Sequence, residues 1–364
     1  MTPLVSIIIP VAAAHAHLVP QAVASCRWQN VRDWEAIVVN DTGATLRSQG
    51  DARVTVIDAP YTSGNRASAA RNAGIAWASG QFCIFLDADD YLLPSAIETF
   101  VRGHARHEAA YSYSGHYGLN EQGAFAQYRP PEYERCTSTE ANTRRQRGEQ
   151  VQTIQEINLH PITAFVPTWC VREVGGFDGD APGLEDWTVW LRLAQAGFCG
   201  QRIYGPTFVY RRDFGINHGP DAAQGRALMD AVTAPYRDKE GNIAMAGCGC
   251  GGGAKTAKET ARQLAQGFGA SPANENGLIT LEFTGRSSGV QSFRHPASKR
   301  EYRAGGLPST KYILVPPEDV DYLIGLGWFV RQYPAAPFVP PPDVIGSDVS
   351  ESHAAKPLRE KVTV

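Results

Sequence analysis

Asp87 and Asp89, separated only by Ala88, follow the apolar run Phe82-Cys83-Ile84-Phe85-Leu86 and are followed at once by Asp90. Carboxylates at i and i+2 with a small residue between them can share one hard divalent cation, and such a cation keeps open positions for substrate phosphates. A buried strand that releases its acids where the chain leaves the sheet therefore predicts a metal–diphosphate site. A competing use of Asp90 is to cap a helix beginning near Tyr91-Leu92-Leu93-Pro94. A second acid pair, Glu185-Asp186, stands before Trp187-Thr188-Val189-Trp190-Leu191-Arg192. A carboxylate desolvated by Trp187 and Trp190 has a raised pKa and suits removal of a proton from a hydroxyl. The same two acids also suit the first turn of a helix from Trp187 to Gly197, where negative charge favours the dipole.

The elements that must position these acids alternate along the chain. Val5-Ser6-Ile7-Ile8-Ile9-Pro10 is a β-branched run closed by proline, which reads as a central parallel strand. A helical stretch from Pro20 to Trp28 leads into Trp34–Asp41, a second buried strand ending in an acid, and Val54–Asp58 is a third. Gly64 to Gly80 reads as an alanine-rich helix whose polar residues, Arg71 and Asn72 among them, sit on one edge. Strand–helix alternation of this kind predicts an α/β domain with a mainly parallel sheet, which places ligands beyond the carboxyl ends of its strands. Asp41, Asp87 and Asp89 all stand at such ends.

Taken together, Val5–Pro10, Ala24-Ser25-Cys26-Arg27-Trp28-Gln29, Trp34–Thr42, Ala70-Arg71-Asn72-Ala73-Gly74, Leu86–Asp90, Gly175-Gly176-Phe177-Asp178 and Glu185–Arg192 resemble the family 2 glycosyltransferases in order and spacing, to about Arg212. The resemblance implies a GT-A fold, a Rossmann-like domain for nucleotide-diphospho-sugars, with Asp87-Ala88-Asp89 as the family's DXD motif. It implies that Pro10, Val11 and Asp41 lie at the nucleotide, Asp41 on the base, and that Arg71 helps hold it. Asp87 would lie by the ribose and metal, and Asp89 would ligate Mn²⁺ or Mg²⁺. Asp186 would be the catalytic base, with Glu185 the alternative, and the displacement would invert the anomeric centre. UDP-sugars are the expected donors. Arg211 and Arg212 are placed to meet phosphates, and His218 to approach the metal or diphosphate. One departure stands out: where the family offers an aromatic and an asparagine after the first strand, this chain has Val11-Ala12-Ala13-Ala14-His15, which removes a stacking contact with the base.

The net charge of −3 and the lack of a basic block argue against nucleic acid as the main partner. No apolar segment reaches spanning length, so no membrane anchor is expected. Seven cysteines, with Cys26, Cys83, Cys170 and Cys199 in apolar surroundings, read as reduced core thiols in a cytoplasmic protein. The organisation expected is a GT-A domain over 1–238, a glycine-rich linker and short helix over 239–277, a small β-rich module over 278–333 and a proline-rich disordered tail over 334–364. Within the linker, Cys248 and Cys250 lack a partner pair for a metal site. A capped helix start is expected at 317–324. The acceptor, a glycan, a lipid-linked sugar or a protein, is expected to meet loops between Tyr111 and Gln155, and the C-terminal module is a candidate surface for a protein partner. The alternative to an enzyme is an assembly protein whose altered GT-A domain only holds a nucleotide or sugar.

Overall fold

A computed structural model describes residues 2–46, 50–60, 64–106, 109–119, 125–128, 146–147, 154, 158, 160–211, 222–237, 259–263, 265, 279–283, 290–294, 298–305, 312–315, 323 and 329–331. The glycine-rich stretch with Cys248 and Cys250, the expected helix start at 317–322, the tail, and most of the span between Tyr128 and Gln155 lie outside the described residues.

Strand β1 (Val5–Ala12) pairs in parallel with β2 (Trp34–Asp41) and with β4 (Phe82–Phe85), and β2 carries β3 (Val54–Asp58), again in parallel. Beyond β4 the sheet continues through β8 (Ala164–Pro167), β6 (Tyr111–Leu119), β9 (Gly200–Arg211) and β5 (Tyr91–Leu92) in the order β3-β2-β1-β4-β8-β6-β9-β5. Here β6 and β9 are parallel, whereas β8 runs antiparallel to both its neighbours and β5 antiparallel to β9. The strand β7 (Phe125–Tyr128) hangs from β6.

Both faces of the parallel half are covered, which is why its strands are continuously apolar rather than alternating. Successive side chains still divide between the faces. Ile8 of β1 and Cys83 and Phe85 of β4 join one cluster with Ala70, Phe177, Trp187 and Trp190. Ile7, Ile9, Phe82 and Ile84 join the other, with Val23, Phe100 and Val101. The first cluster is covered by α2 (Arg66–Trp77), α4 (Thr168–Glu173) and α5 (Glu185–Gln195), the second by α1 (Val19–Arg27) and α3 (Ala96–His104). A sixth helix, α6 (Ala222–Thr233), contributes Leu228 and Met229 to the first cluster.

Helix α2 owes its position to four residues of one short motif. Asn65 caps it by accepting from the Ser68 amide, at 2.9 Å. Ala70 is buried. Gly74 lets the helix approach β1 so closely that a Cβ there would stand 2.4 Å from Ile8 Cγ2. Asn72 clamps the backbone of Phe177 from both sides, its Oδ1 accepting from the Phe177 amide at 2.8 Å and its Nδ2 donating to the Phe177 carbonyl at 2.9 Å. Gly176, at φ +71°, makes the turn that presents Phe177 to this clamp.

All the described residues fall in one compact unit, Met1–Tyr333. Its C-terminal part is β-rich. Strands β10 (Ile279–Phe283), β13 (Tyr312–Val315) and β14 (Phe329–Arg331) form an antiparallel sheet, and β11 (Val290–Arg294) pairs with β12 (Glu301–Gly305). Residues 259–263 are helical, and Ala261 is fully buried in the second cluster.

Two expectations need correction. Asp90 caps no helix: the next element is β5, and α3 begins only after Ser95. Among the cysteines, Cys26, Cys83 and Cys170 are buried thiols outside any disulfide, but Cys199 is disulfide-bonded rather than a reduced thiol. Burial pushes the Cys26 thiol up to about 12 and that of Cys83 to about 11, so both act as small apolar side chains.

Candidate active site

Strand β4 ends at Phe85 and the chain turns over Leu86–Asp90, the Asp90 amide donating to the Asp87 carbonyl at 3.0 Å. One ligand atom from each of Asp87, Asp89 and Asp90 falls within 4.8 Å of the others. Asp89 and Asp90 are buried, while Asp87 is half-buried. Burial first, and the Asp87 charge second, raise the pKa of Asp89, with His15 and Arg211 pulling the other way. For Asp90 the same causes act more strongly, burial ahead of Asp87 and Asp89, and its pKa stands well above the usual carboxylate range. Asp90 Oδ1 accepts from the Arg211 amide at 3.0 Å, but its Oδ2 is buried with no hydrogen-bond partner. Three crowded carboxylates with one orphaned buried oxygen are short of positive charge. Their donor set, oxygen only and close-spaced, fits a hard divalent cation.

On the other side of Asp87 stands Arg71, on the inward edge of α2 and 5% exposed. Its Nη2 donates to Asp87 Oδ1 at 2.8 Å and its Nη1 to Glu185 Oε1 at 2.7 Å. Its guanidinium lies over the Phe177 ring, 5.4 Å from the centroid. Burial alone would lower the Arg71 pKa, but the charges of Asp87 and Glu185 more than offset it and the pKa is raised. One side chain thereby ties the acid turn after β4 to the head of α5.

At that head, the two acids are treated oppositely. Burial works against a charge on Glu185, yet the charge and hydrogen bond of Arg71 outweigh it and the pKa is lowered. Among the described residues no cation contacts Asp186 in this way. Its Oδ1 accepts from the Trp187 amide at 2.9 Å and its Oδ2 from Asn158 Nδ2 at 2.8 Å. Burial, with the neighbouring Glu185 charge, pushes it up to about 6. Leu184 precedes the helix in the left-handed region, φ 51°. Trp187 and Trp190 are buried, and Trp187 Nε1 donates to the Ile154 carbonyl at 2.6 Å.

The remaining expected residues are spread around this centre. Asp41, at the end of β2, accepts from Arg66 Nε at 3.2 Å. Pro10 is half-buried, but the Val11 side chain is fully buried in the second cluster, so only its backbone can meet a ligand. Arg211 gives its amide to Asp90 and its side chain to Gln21, with its guanidinium 5.7 Å from the Tyr91 ring centroid. His218 and Arg212 lie outside the described residues.

Three participants were not assigned a role from sequence, Arg66 on Asp41, Asn158 on Asp186, and His15, whose Nε2 stands 3.9 Å from Asp89 Oδ2, while Asp90, read as a helix cap, joins the carboxylate cluster. Asp90 was adjacent to the motif and legible as a third acid. The other three meet their partners only through tertiary packing.

Residues 6–165 match the family model described as Glycosyl transferase family 2. The acid turn falls inside that stretch and the head of α5 beyond it. The chain is 27% identical over 134 residues to the Escherichia coli UDP-Glc:alpha-D-GlcNAc-diphosphoundecaprenol beta-1,3-glucosyltransferase WfgD, covering 35% of this chain and 52% of that protein. It is 32% identical over 255 residues to the O-antigen biosynthesis protein RfbC of Myxococcus xanthus, covering 67% of this chain and 18% of the other. To chondroitin synthase of Pasteurella multocida it is 34% identical over 206 residues, covering 54% and 19%. The chain thus spans about half, or less, of the length of these curated relatives. Among solved structures, S. aureus TarS 1-349 in complex with UDP-GlcNAc is 13% identical with a TM-score of 0.48, covering 72% of this chain and 71% of that one.

Proposed function

We propose that this chain, whose residues 6–165 match the model described as Glycosyl transferase family 2, moves a sugar from a nucleotide-diphosphate sugar, a UDP-sugar by preference, to an acceptor hydroxyl in a metal-dependent, inverting displacement. The observation that carries the reading is the Arg71 bridge. It brings a charge-deficient carboxylate cluster and a separate, apolar-set carboxylate to one site. A scaffold that only held a nucleotide would have no use for the second group.

In this reading Asp89 and Asp90, with Asp87, hold the cation, Mn²⁺ or Mg²⁺. When bound, the cation supplies Lewis-acid stabilisation to the charge gathering on the diphosphate. Asp41, at the end of β2, meets the base, and for that Arg66 must yield or stack. Pro10 and the backbone of Val11 border the nucleotide. The Arg71 guanidinium fixes Asp87 and neutralises Glu185, so that of the two acids at the head of α5 only Asp186 keeps a raised proton affinity. Asp186 takes the acceptor's proton as its oxygen attacks the anomeric carbon, and with no side chain acting as nucleophile the centre is inverted. At neutral pH a carboxylate with a pKa of about 6 is mostly ionised yet more basic than an ordinary aspartate. Glu185, held low by Arg71, is the weaker candidate for that role.

The acceptor is a glycan, lipid-linked or protein hydroxyl approaching from the Asp186 side, and the C-terminal β-rich part is the candidate surface for a protein partner. Among the described residues no helix is long and apolar enough to cross a membrane. The buried, reduced thiols of Cys26, Cys83 and Cys170 support a cytoplasmic setting, against which the Cys199 disulfide stands. The test is binding and slow hydrolysis of UDP-, GDP- and dTDP-sugars with Mn²⁺ or Mg²⁺. Metal-dependent binding of one donor, lost in Asp89→Ala, with Asp186→Ala binding but not turning over, is the expected result. Absence of binding for every donor with either metal would leave the chain a scaffold.

A further inference from the structure

We propose that Asn158 selects the acceptor: its amide oxygen takes a second hydroxyl beside the one that Asp186 deprotonates, so the acceptor is a vicinal diol, a saccharide rather than a lone serine, threonine or tyrosine hydroxyl. This deepens the transfer reading above and rests on it.

The stretch before β8 is fastened to the first two turns of α5 at Ile154, Asn158 and His160. Trp187 Nε1 donates to the Ile154 carbonyl at 2.6 Å, and Asn158 Nδ2 donates to Asp186 Oδ2 at 2.8 Å. The His160 ring meets Trp190 edge to face, with centroids 5.8 Å apart. Ile154, His160, Trp187 and Trp190 are buried, whereas Asn158 and Asp186 are both half-buried. Of these three contacts, the Asn158–Asp186 pair is the one an incoming molecule can reach.

An ionised Asp186 has only acceptor atoms. It compels the Asn158 amide to turn its nitrogen toward the carboxylate and its oxygen away. Among the described residues nothing donates to that oxygen, although it is enclosed. An enclosed carbonyl left unmet costs free energy, and a donor brought by a ligand removes the cost. The pair thus offers two accepting oxygens, a carboxylate and a carbonyl, one amide's width apart. Hydroxyls on adjacent carbons supply two donors at matching closeness, a lone hydroxyl supplies one, and an ionised phosphate supplies none. In the transfer the first hydroxyl gives its proton to Asp186 as its oxygen bonds to the anomeric carbon. The bond from that carbon to the diphosphate breaks, and its electron pair leaves on the nucleoside diphosphate. The second hydroxyl keeps its proton and donates it in a hydrogen bond to Asn158 Oδ1, which fixes which of the two neighbours attacks.

Small alcohols stand in for the acceptor in the test. The full chain, with the donor and metal it hydrolyses, is given cyclohexanol or the cis or trans vicinal cyclohexanediol, and the alkyl glycoside formed is measured against the free sugar released by water. Expected is a preference of about tenfold for one diol over cyclohexanol, corrected for its two hydroxyls, which vanishes in Asn158→Ala. Equal use of the alcohols by wild type, a preference that survives Asn158→Ala, or hydrolysis in which no alcohol is used overturns the role of Asn158. In each of those cases hydrolysis lost in Asp186→Ala leaves the transfer reading standing. Wild type that hydrolyses no donor overturns both. Asn158→Leu, close to asparagine in shape, takes the place of the alanine variant if circular dichroism shows that variant unfolded.

Discussion

The turn after β4 and the head of α5 each gather carboxylates at the end of an apolar segment, and each touches Arg71, yet the two sites are left in opposite electrical states. At the turn, three acids crowd together and Arg71 reaches only Asp87, so Asp89 and Asp90 remain under-compensated. At the helix head there are two acids, Arg71 takes Glu185, and the single remaining carboxylate is raised to about 6 by burial. The first arrangement asks for a cation and the second for a proton. Both places hold carboxylates; what differs is how many of them Arg71 leaves unserved, two at the turn and one at the helix head.

The contrast can be broken from either side. The largest effect is expected from Asp186→Asn, which should lower sugar transfer by about 10²–10⁴-fold with donor affinity unchanged, read by steady-state rates against donor titration. Asp89→Asn should act on the other site alone, weakening Mn²⁺ by about a hundredfold with the acid limb of any residual rate unmoved. Arg71→Met should strip both sites of their shared cation. Breaking such a buried pair costs about 3 kcal/mol of stability, measurable by urea denaturation, and it should bring Glu185 up toward Asp186. A Glu185 titration that does not move in that variant would sink the idea that one arginine sets the two acids apart.

A smaller effect concerns pH. In the proposed mechanism Asp186 is the base when ionised, so the rate should rise through about pH 6 and level above it. Asn158 donates to Asp186 and favours its ionised form, so Asn158→Ala should move that limb to higher pH. For stability the sign is reversed. The Asp186 pKa in the fold lies above its ordinary value of 3.8, so the fold loses stability as pH rises from there through about 6. A shift of that size is worth up to about 3 kcal/mol. Asp186→Asn should recover part of this at pH 7, giving a protein that is more stable and inactive.

Much of the parallel half was legible, because its signals are local. Trp34–Asp41 and Val54–Asp58 run as strands with the bounds that their apolar runs imply. Ala70-Arg71-Asn72-Ala73-Gly74 could be picked out as a motif, and in the fold three of its residues make specific tertiary contacts, with β1, Phe177 and the two acids. Less legible was what depends on distant partners. The two-residue strand β5 is too short for any period to register, so Asp90 before it read as a cap. The opposite pKa shifts of Glu185 and Asp186 were not legible in the sequence, since these adjacent acids are set apart by a guanidinium supplied from α2. Nor does local pattern reveal that β8 inserts antiparallel between β4 and β6.

The double clamp of Asn72 on Phe177 has a mechanical consequence. Both the amide and the carbonyl of Phe177 are fastened to α2, so the loop leading to α5 is stapled to the helix that carries Arg71. The spacing between Asp186 and the acid turn is then set by the stiffness of one helix rather than by a free loop. The amide hydrogen of Phe177 should accordingly exchange with solvent as slowly as those of the central strands, whether or not a donor is bound.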